Sequence, residues 1–172
     1  MTSNGSNLSD TDAAGAGHQV LTFSLGTETY GVDILRVQEL RGWTPVTRVP
    51  QSPTHVLGVL NLRGSIVPII DLRMRFGLTQ IEYTALTVIV VLSVESSTGR
   101  REFGLVVDGV SDVVDVHAGD LKETPSLGNR ATSDLIKGLV TVDDRMLILL
   151  DVDELIRRDM QLGEPPAAAR AA

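Results

Sequence analysis

Residues Gln19-Val20-Leu21-Thr22-Phe23-Ser24-Leu25 alternate apolar and polar side chains, the period of a half-buried strand. Gly26-Thr27-Glu28 interrupts the alternation before Thr29-Tyr30-Gly31-Val32, which predicts a hairpin. A second hairpin is predicted where the apolar runs 56–62 and 65–70 are split by Arg63-Gly64. Residues 88–94 and 103–107 repeat the arrangement around Ser96-Ser97-Thr98-Gly99, and residues 146–150 form a last apolar run after an Asp143-Asp144 turn. Helical spacing appears over 72–76, and over 152–162 through Leu155, Ile156, Met160 and Leu162. The pattern predicts a mostly-β chain with two short helices. Residues 1–17 contain Leu8 as their one large apolar side chain besides Met1, too little to offset ordering entropy, and are predicted to be a disordered arm. The ordered domain is expected over 18–158, with the helix end and a flexible, alanine-rich tail over 159–172.

The chain also repeats itself. Residues 56–71 and 136–151 align without a gap, so that Gly58 matches Gly138 and Asp71 matches Asp151, each 80 positions on. Both copies read as strand, two-residue turn, strand, and an aspartate whose carboxylate caps the helix that follows. Tyr30-Gly31-Val32-Asp33 to Val37-Gln38-Glu39-Leu40 matches Phe103-Gly104-Leu105-Val106 to Val110-Ser111-Asp112-Val113 at an offset of 73. Two copies of a unit of about five strands predict two small barrels, because closure removes exposed sheet edges. Two lobes in one chain would leave a groove between them, a place for an elongated partner.

Composition narrows the chemistry. In 172 residues there is no cysteine, so disulfides, thiolate metal sites and a cysteine nucleophile are excluded. A net charge of −7 with only 3% aromatics argues against a nucleic-acid partner, which calls for basic stripes and stacking rings. No apolar run approaches the roughly 20 residues of a membrane span, and no secretory signal is visible, so a cytoplasmic protein without direct membrane insertion is expected. His18, His55 and His117 read as loop histidines, with no partner at metal-ligand spacing. No Gly-x-Ser-x-Gly elbow and no phosphate loop occurs, and Asp33, Glu39, Asp108 and Asp112 read as turn carboxylates outside any calcium-loop pattern. No cofactor or catalytic residue is expected, and the chain reads as a binding module. Arg63 at a hairpin tip is the candidate anchor, with Glu39 as a possible edge-strand partner; Val110 and Val113 read first as core. Trp43, the one tryptophan, reads equally as a loop anchor or an interface residue.

The blocks YGVDILRVQEL, VLGVLNLRGSIVPIIDLRMRFG, FGLVVDGVSDV and MLILLD, in this order, closely resemble the CheW family of bacterial chemotaxis coupling proteins. The resemblance spans about 18–157 and departs from the family pattern in the polar arm and the alanine-rich tail. It implies a mostly-β adaptor of two SH3-like five-stranded barrels. Such an adaptor bridges the regulatory domain of a CheA-type histidine kinase to the cytoplasmic tip of methyl-accepting chemoreceptors, recruited to membrane receptor arrays. The alternative is a CheW-like adaptor of a non-flagellar chemosensory pathway. A CheW-like unit also ends the CheA kinase, but this chain has no room for kinase, dimerisation or phosphotransfer domains, nor for the receiver that CheV-type proteins append. By the same resemblance, Val37, Glu39, Gly58 and Arg63 fall at kinase- or receptor-binding positions, and Gly104, Val110 and Val113 at the groove that receives the receptor.

Overall fold

The computed structural model describes residues 17–96, 99–123 and 134–163. The expected arm, apart from Gly17, and the tail beyond Gly163 lie outside the described residues. Ten strands form two five-stranded sheets. In chain order they are β1 (His18–Leu25), β2 (Glu28–Asp33), β3 (Val37–Gly42), β4 (Val56–Leu62) and β5 (Ser65–Asp71), then β6 (Val88–Ser96), β7 (Gly99–Val107), β8 (Gly109–Val116), β9 (Ile136–Val142) and β10 (Arg145–Leu150). Helix α1 (Leu72–Arg75) follows β5, and α2 (Val152–Gly163) follows β10. Strands β3 and β8 extend what the alternation alone had marked, and both helices begin where expected.

Lobe A runs β8-β1-β2-β10-β9 and lobe B runs β3-β6-β7-β5-β4. Replacing each strand by its counterpart in the other repeat turns one order into the other, so the duplication is real. A repeat is nevertheless not a lobe. The first copy gives β1 and β2 to lobe A and β3–β5 to lobe B, and the second copy does the reverse. The two copies are exchanged within one chain, and neither can complete a barrel without the other.

Each sheet is closed by the same device. Beyond edge strand β3, Thr47 exchanges both backbone hydrogen bonds with Val59 of the opposite edge strand β4, at 3.0 and 2.8 Å. In lobe A, Lys122 does the same with Leu139 of β9, at 2.8 Å in both directions. These bridges occupy backbone groups that an open edge would leave unpaired. They also explain the matched glycines. A Cβ on Gly58, whose φ is +151°, would stand 2.0 Å from the Thr47 carbonyl oxygen, and one on Gly138 would stand 2.7 Å from that of Lys122.

Small apolar clusters fill the barrels: Val67, Ile69, Ile89, Val91 and Val106 in lobe B, and Val20, Val116, Val140 and Leu147 in lobe A. The largest cluster lies between the lobes, joining Leu21, Phe23 and Val32 to Val90, Leu92, Phe103 and Leu105, with Leu155 and Ile156 of α2. Strand β6 is therefore buried on both faces, which is why its sequence is a continuous apolar run rather than an alternation. The expected groove between lobes is, at its centre, hydrophobic core. At about 1.5–3 kcal/mol per large side chain removed from water, this seam fixes the lobes against each other.

One polar network crosses the seam. Arg73 and Asp71 are fully buried, and Arg73 Nε and Nη2 each donate to an Asp71 carboxylate oxygen at 3.0 Å. Arg73 Nη1 donates to Asp108 at 3.0 Å and to the Glu82 carbonyl at 2.7 Å, while Asp108 accepts from the Gly26 amide of lobe A at 2.7 Å. The Tyr83 hydroxyl donates to Asp71 at 2.8 Å. Burial and the Asp71 carboxylate push the Tyr83 phenol up to about 12. Burial works to lower the Arg73 value, but the bonds to Asp71 and Asp108 outweigh it and the net shift is upward. Trp43 stacks on Tyr83 with ring centroids 4.2 Å apart, so it is an anchor of this loop.

Candidate contact surface

The β4–β5 hairpin turns on Arg63 (φ 54°) and Gly64 (φ 88°), the two left-handed residues that a tight hairpin turn needs. Glycine adopts that conformation freely, whereas arginine carries a cost of about 1 kcal/mol there. The turn places Arg63 in solvent, with its side chain 84% exposed, and Asn61 Oδ1 accepts from the Gly64 amide at 2.9 Å to hold the loop.

Arg63 is not free in solution. Its Nη2 donates to Glu39 Oε2 at 2.6 Å, and Arg41 Nη1 donates to Glu39 Oε1 at 3.1 Å. The pairing expected from sequence is present. Because β3 and β4 are opposite edges of sheet B, this ion pair also spans the barrel closure. One carboxylate is thus shared between two guanidinium groups, and the Arg63 side chain remains largely exposed. A hollow of about 210 Å³ lies beside the pair, with Gln38, Leu62, Ser65 and Glu102 among its lining. Leu40, on the same strand as Glu39, and Ile66, two residues after Gly64, are exposed aliphatic side chains.

The remaining candidates do not gather on this patch. Val37, at the start of β3, is half-buried against the seam core opposite Leu92. Val110 occupies the equivalent place in β8 of lobe A, half-buried opposite Phe23. Val113 is 47% exposed, the lobe A counterpart of Leu40. Two of the expected positions are buried glycines. Gly58 is buried against the Thr47 backbone, where it shapes the closure, and it also lines a hollow beside the β4–β5 hairpin. Gly104 is buried in central strand β7, where a Cβ would lie 2.6 Å from Ile69 Cδ1 and 2.8 Å from Ile89 Cγ2. It lines the interior of lobe B rather than an open groove, and it belongs to a different lobe from Val110 and Val113.

Several residues read as solvated also have structural partners. Asp33 accepts from the Leu35 amide at 2.9 Å, and Asp112 accepts from the Thr22 hydroxyl at 2.5 Å. His55 packs inward, its Nε2 3.4 Å from a carboxylate oxygen of buried Asp159. Sequence reasoning missed Asp159, because an acid late in an amphipathic helix reads as part of its wet face.

Two duplicated barrels share a closed seam, and one hairpin presents a charged tip. The sequence profile of the CheW-like domain matches residues 19–160. The chain is 44% identical over 140 residues to the chemotaxis protein CheW of Klebsiella aerogenes, covering 81% of this chain and 82% of that one. It is 37% identical to the chemotaxis protein CheW of Rhizobium meliloti, covering 81% of this chain and 87% of the relative. A crystal structure of the scaffolding protein TtCheW from Thermoanaerobacter tengcongensis superposes with a TM-score of 0.70 at 30% identity, covering 79% of this chain and 85% of that one. The chain belongs to the CheW-like family.

Proposed function

We propose that this protein is a non-catalytic chemotaxis adaptor that couples methyl-accepting chemoreceptors to a CheA-type histidine kinase and helps assemble their arrays. Its family membership supports the role, and the single structural observation that carries the contact is the outward-facing Arg63 held by Glu39. Exposed Leu40 and Ile66, half-buried Val37 and Val110, and exposed Val113 are further contact positions outside that ion pair. Gly58 and Gly104 act indirectly, by keeping lobe B closed.

Coupling needs no reaction at the adaptor. Two interfaces on one rigid body raise the effective concentration of kinase beside receptor. A receptor state that favours one arrangement of the complex shifts kinase activity by its differential affinity. The working place is the cytoplasmic side of the membrane, where receptor tips lie; among the described residues no helix is long and apolar enough to cross a membrane. Kinase autophosphorylation with receptor-containing membranes tests this reading. Receptor-dependent stimulation appears only when the protein is added; no stimulation with competent partners contradicts it.

A further inference from the structure

The two arginines on the Glu39 carboxylate are seated differently. Glu39 and Arg41 share the half-buried face of β3, while Gln38, Leu40 and Gly42 between and beside them are exposed. Arg41 Nη1 donates to Glu39 Oε1 at 3.1 Å, and Arg63 Nη2 donates to Glu39 Oε2 at 2.6 Å. The Arg63 side chain is 84% exposed, against 40% for Arg41 and 21% for Glu39. Arg41 Nε is buried and, among the described residues, has no hydrogen-bond partner. One guanidinium is therefore packed into the strand surface, and the other reaches the same carboxylate from solvent.

The barrel does not demand an arginine at this place. In lobe A the counterparts of Glu39, Arg41 and Arg63 are Asp112, Val114 and Asp143. Val114 packs against the apolar cluster of that lobe. Where the hairpin tip is an aspartate, the strand position is aliphatic. Where the tip is an arginine paired with the edge-strand acid, the position is a second arginine. Arg41 thus goes with the Glu39–Arg63 pair and not with the fold.

We infer that Arg41 is a positioning residue of the contact surface, which stays on Glu39 and so frees Arg63 to transfer from Glu39 to an acceptor oxygen of a partner. A guanidinium has donors and no acceptor, so the group that Arg63 meets on a partner is an acceptor. The transfer takes a charge-assisted bond from Glu39, and a mostly buried carboxylate left with no donor is costly. With Arg41 in place the carboxylate keeps one such bond throughout. Without Arg41, Arg63 alone serves Glu39 and is locked to it. That the acceptor belongs to receptor or kinase rests on the coupling reading; the seating of the three side chains does not.

The test has one arm without partners and one with them. In the free full chain, heteronuclear NMR reads the rotation of the arginine guanidinium groups. Slow rotation of Arg41 and fast rotation of Arg63 are expected, with Arg63 slowed about tenfold in Arg41→Val, which installs the lobe A residue. Unchanged Arg63 rotation in that variant, or equally fast rotation of both arginines in the native chain, overturns the proposal. With kinase and receptor-containing membranes, Arg41→Val is expected to need about tenfold more protein for half-maximal stimulation. In a Glu39→Gln background, where no charge is left to strand, the same substitution is expected to add nothing. Equal losses in both backgrounds would make Arg41 a structural residue only and overturn the proposal. Arg41→Met, which keeps the aliphatic stem, takes the place of Arg41→Val if a thermal melt shows that variant unfolded. No stimulation by the native chain overturns the coupling reading, and guanidinium rotation then decides this proposal by itself.

Discussion

The two lobes share strand order, bulge positions, closing bridge and turn geometry, and differ in what the turn presents. In lobe B the hairpin tip is Arg63 and the facing edge-strand residue is Glu39. In lobe A the same two places are Asp143 and Asp112. Asp143 (φ 49°) and Asp144 (φ 63°) adopt the same left-handed turn, a conformation aspartate accepts more readily than arginine. Two acids cannot pair, and Asp112 turns instead to the hydroxyl of Thr22, which stands where lobe B has Val91. The shared features are those the barrel requires. The arginine, placed where the backbone disfavours it, is what the barrel does not require, and that strain is in keeping with the contact proposed for Arg63.

The largest expected effect falls on the network joining the lobes. Arg73→Ala leaves the Asp71 carboxylate buried without its bidentate partner and is expected to cost about 3–5 kcal/mol, read by chemical denaturation. Loss at the level of an exposed pair, under about 1 kcal/mol, would mean that the seam core alone holds the lobes.

The next effect separates the matched glycines. Gly58→Asp drives a Cβ into the Thr47 backbone and is expected to destabilise by about 3 kcal/mol. Gly138→Asp is milder, because its nearest backbone atom is farther, at 2.7 Å, and its other close neighbour is the flexible end of Leu121. Thermal melts of the two variants check the order, and equal losses would show that both closures are equally tight.

Arg63→Asn sharpens the comparison at smaller energy. It relieves about 1 kcal/mol of left-handed strain and removes an exposed ion pair worth about 0–1 kcal/mol, so stability should barely move. Partner affinity, read by calorimetry, should fall by about 2 kcal/mol if Arg63 is a hot spot. The smallest effect is alkaline. Tyr83 has its phenol raised to about 12, so its contribution is present below pH 10 and is lost between pH 10 and 12, where the unfolded chain ionises first. At 40% exposure the loss is modest, and Tyr83→Phe should flatten that part of the pH–stability curve.

Much of this was legible in the chain. Alternation and turn residues marked the strands, and the 80-residue offset from Gly58 to Gly138 revealed the duplication. The Glu39–Arg63 pair was visible as two opposite charges with suitable exposure. The exchange of strands between copies was not, because a strand's own pattern sets its buried face and not its neighbour. Nor was the burial of Arg73, since a charged residue in a first helical turn normally reads as surface. At Gly58 and Gly104 the sequence shows only a missing side chain, and the structure shows the close backbone and side-chain packing that its absence serves.

The most direct measurement compares Arg63→Glu with Asp143→Arg in receptor-coupled kinase autophosphorylation, after both are shown to be folded. Loss of stimulation by at least about tenfold in Arg63→Glu, with near-normal stimulation in Asp143→Arg, is the expected result. Normal coupling in Arg63→Glu, or equal losses in both variants, would contradict the assignment of the partner contact to lobe B.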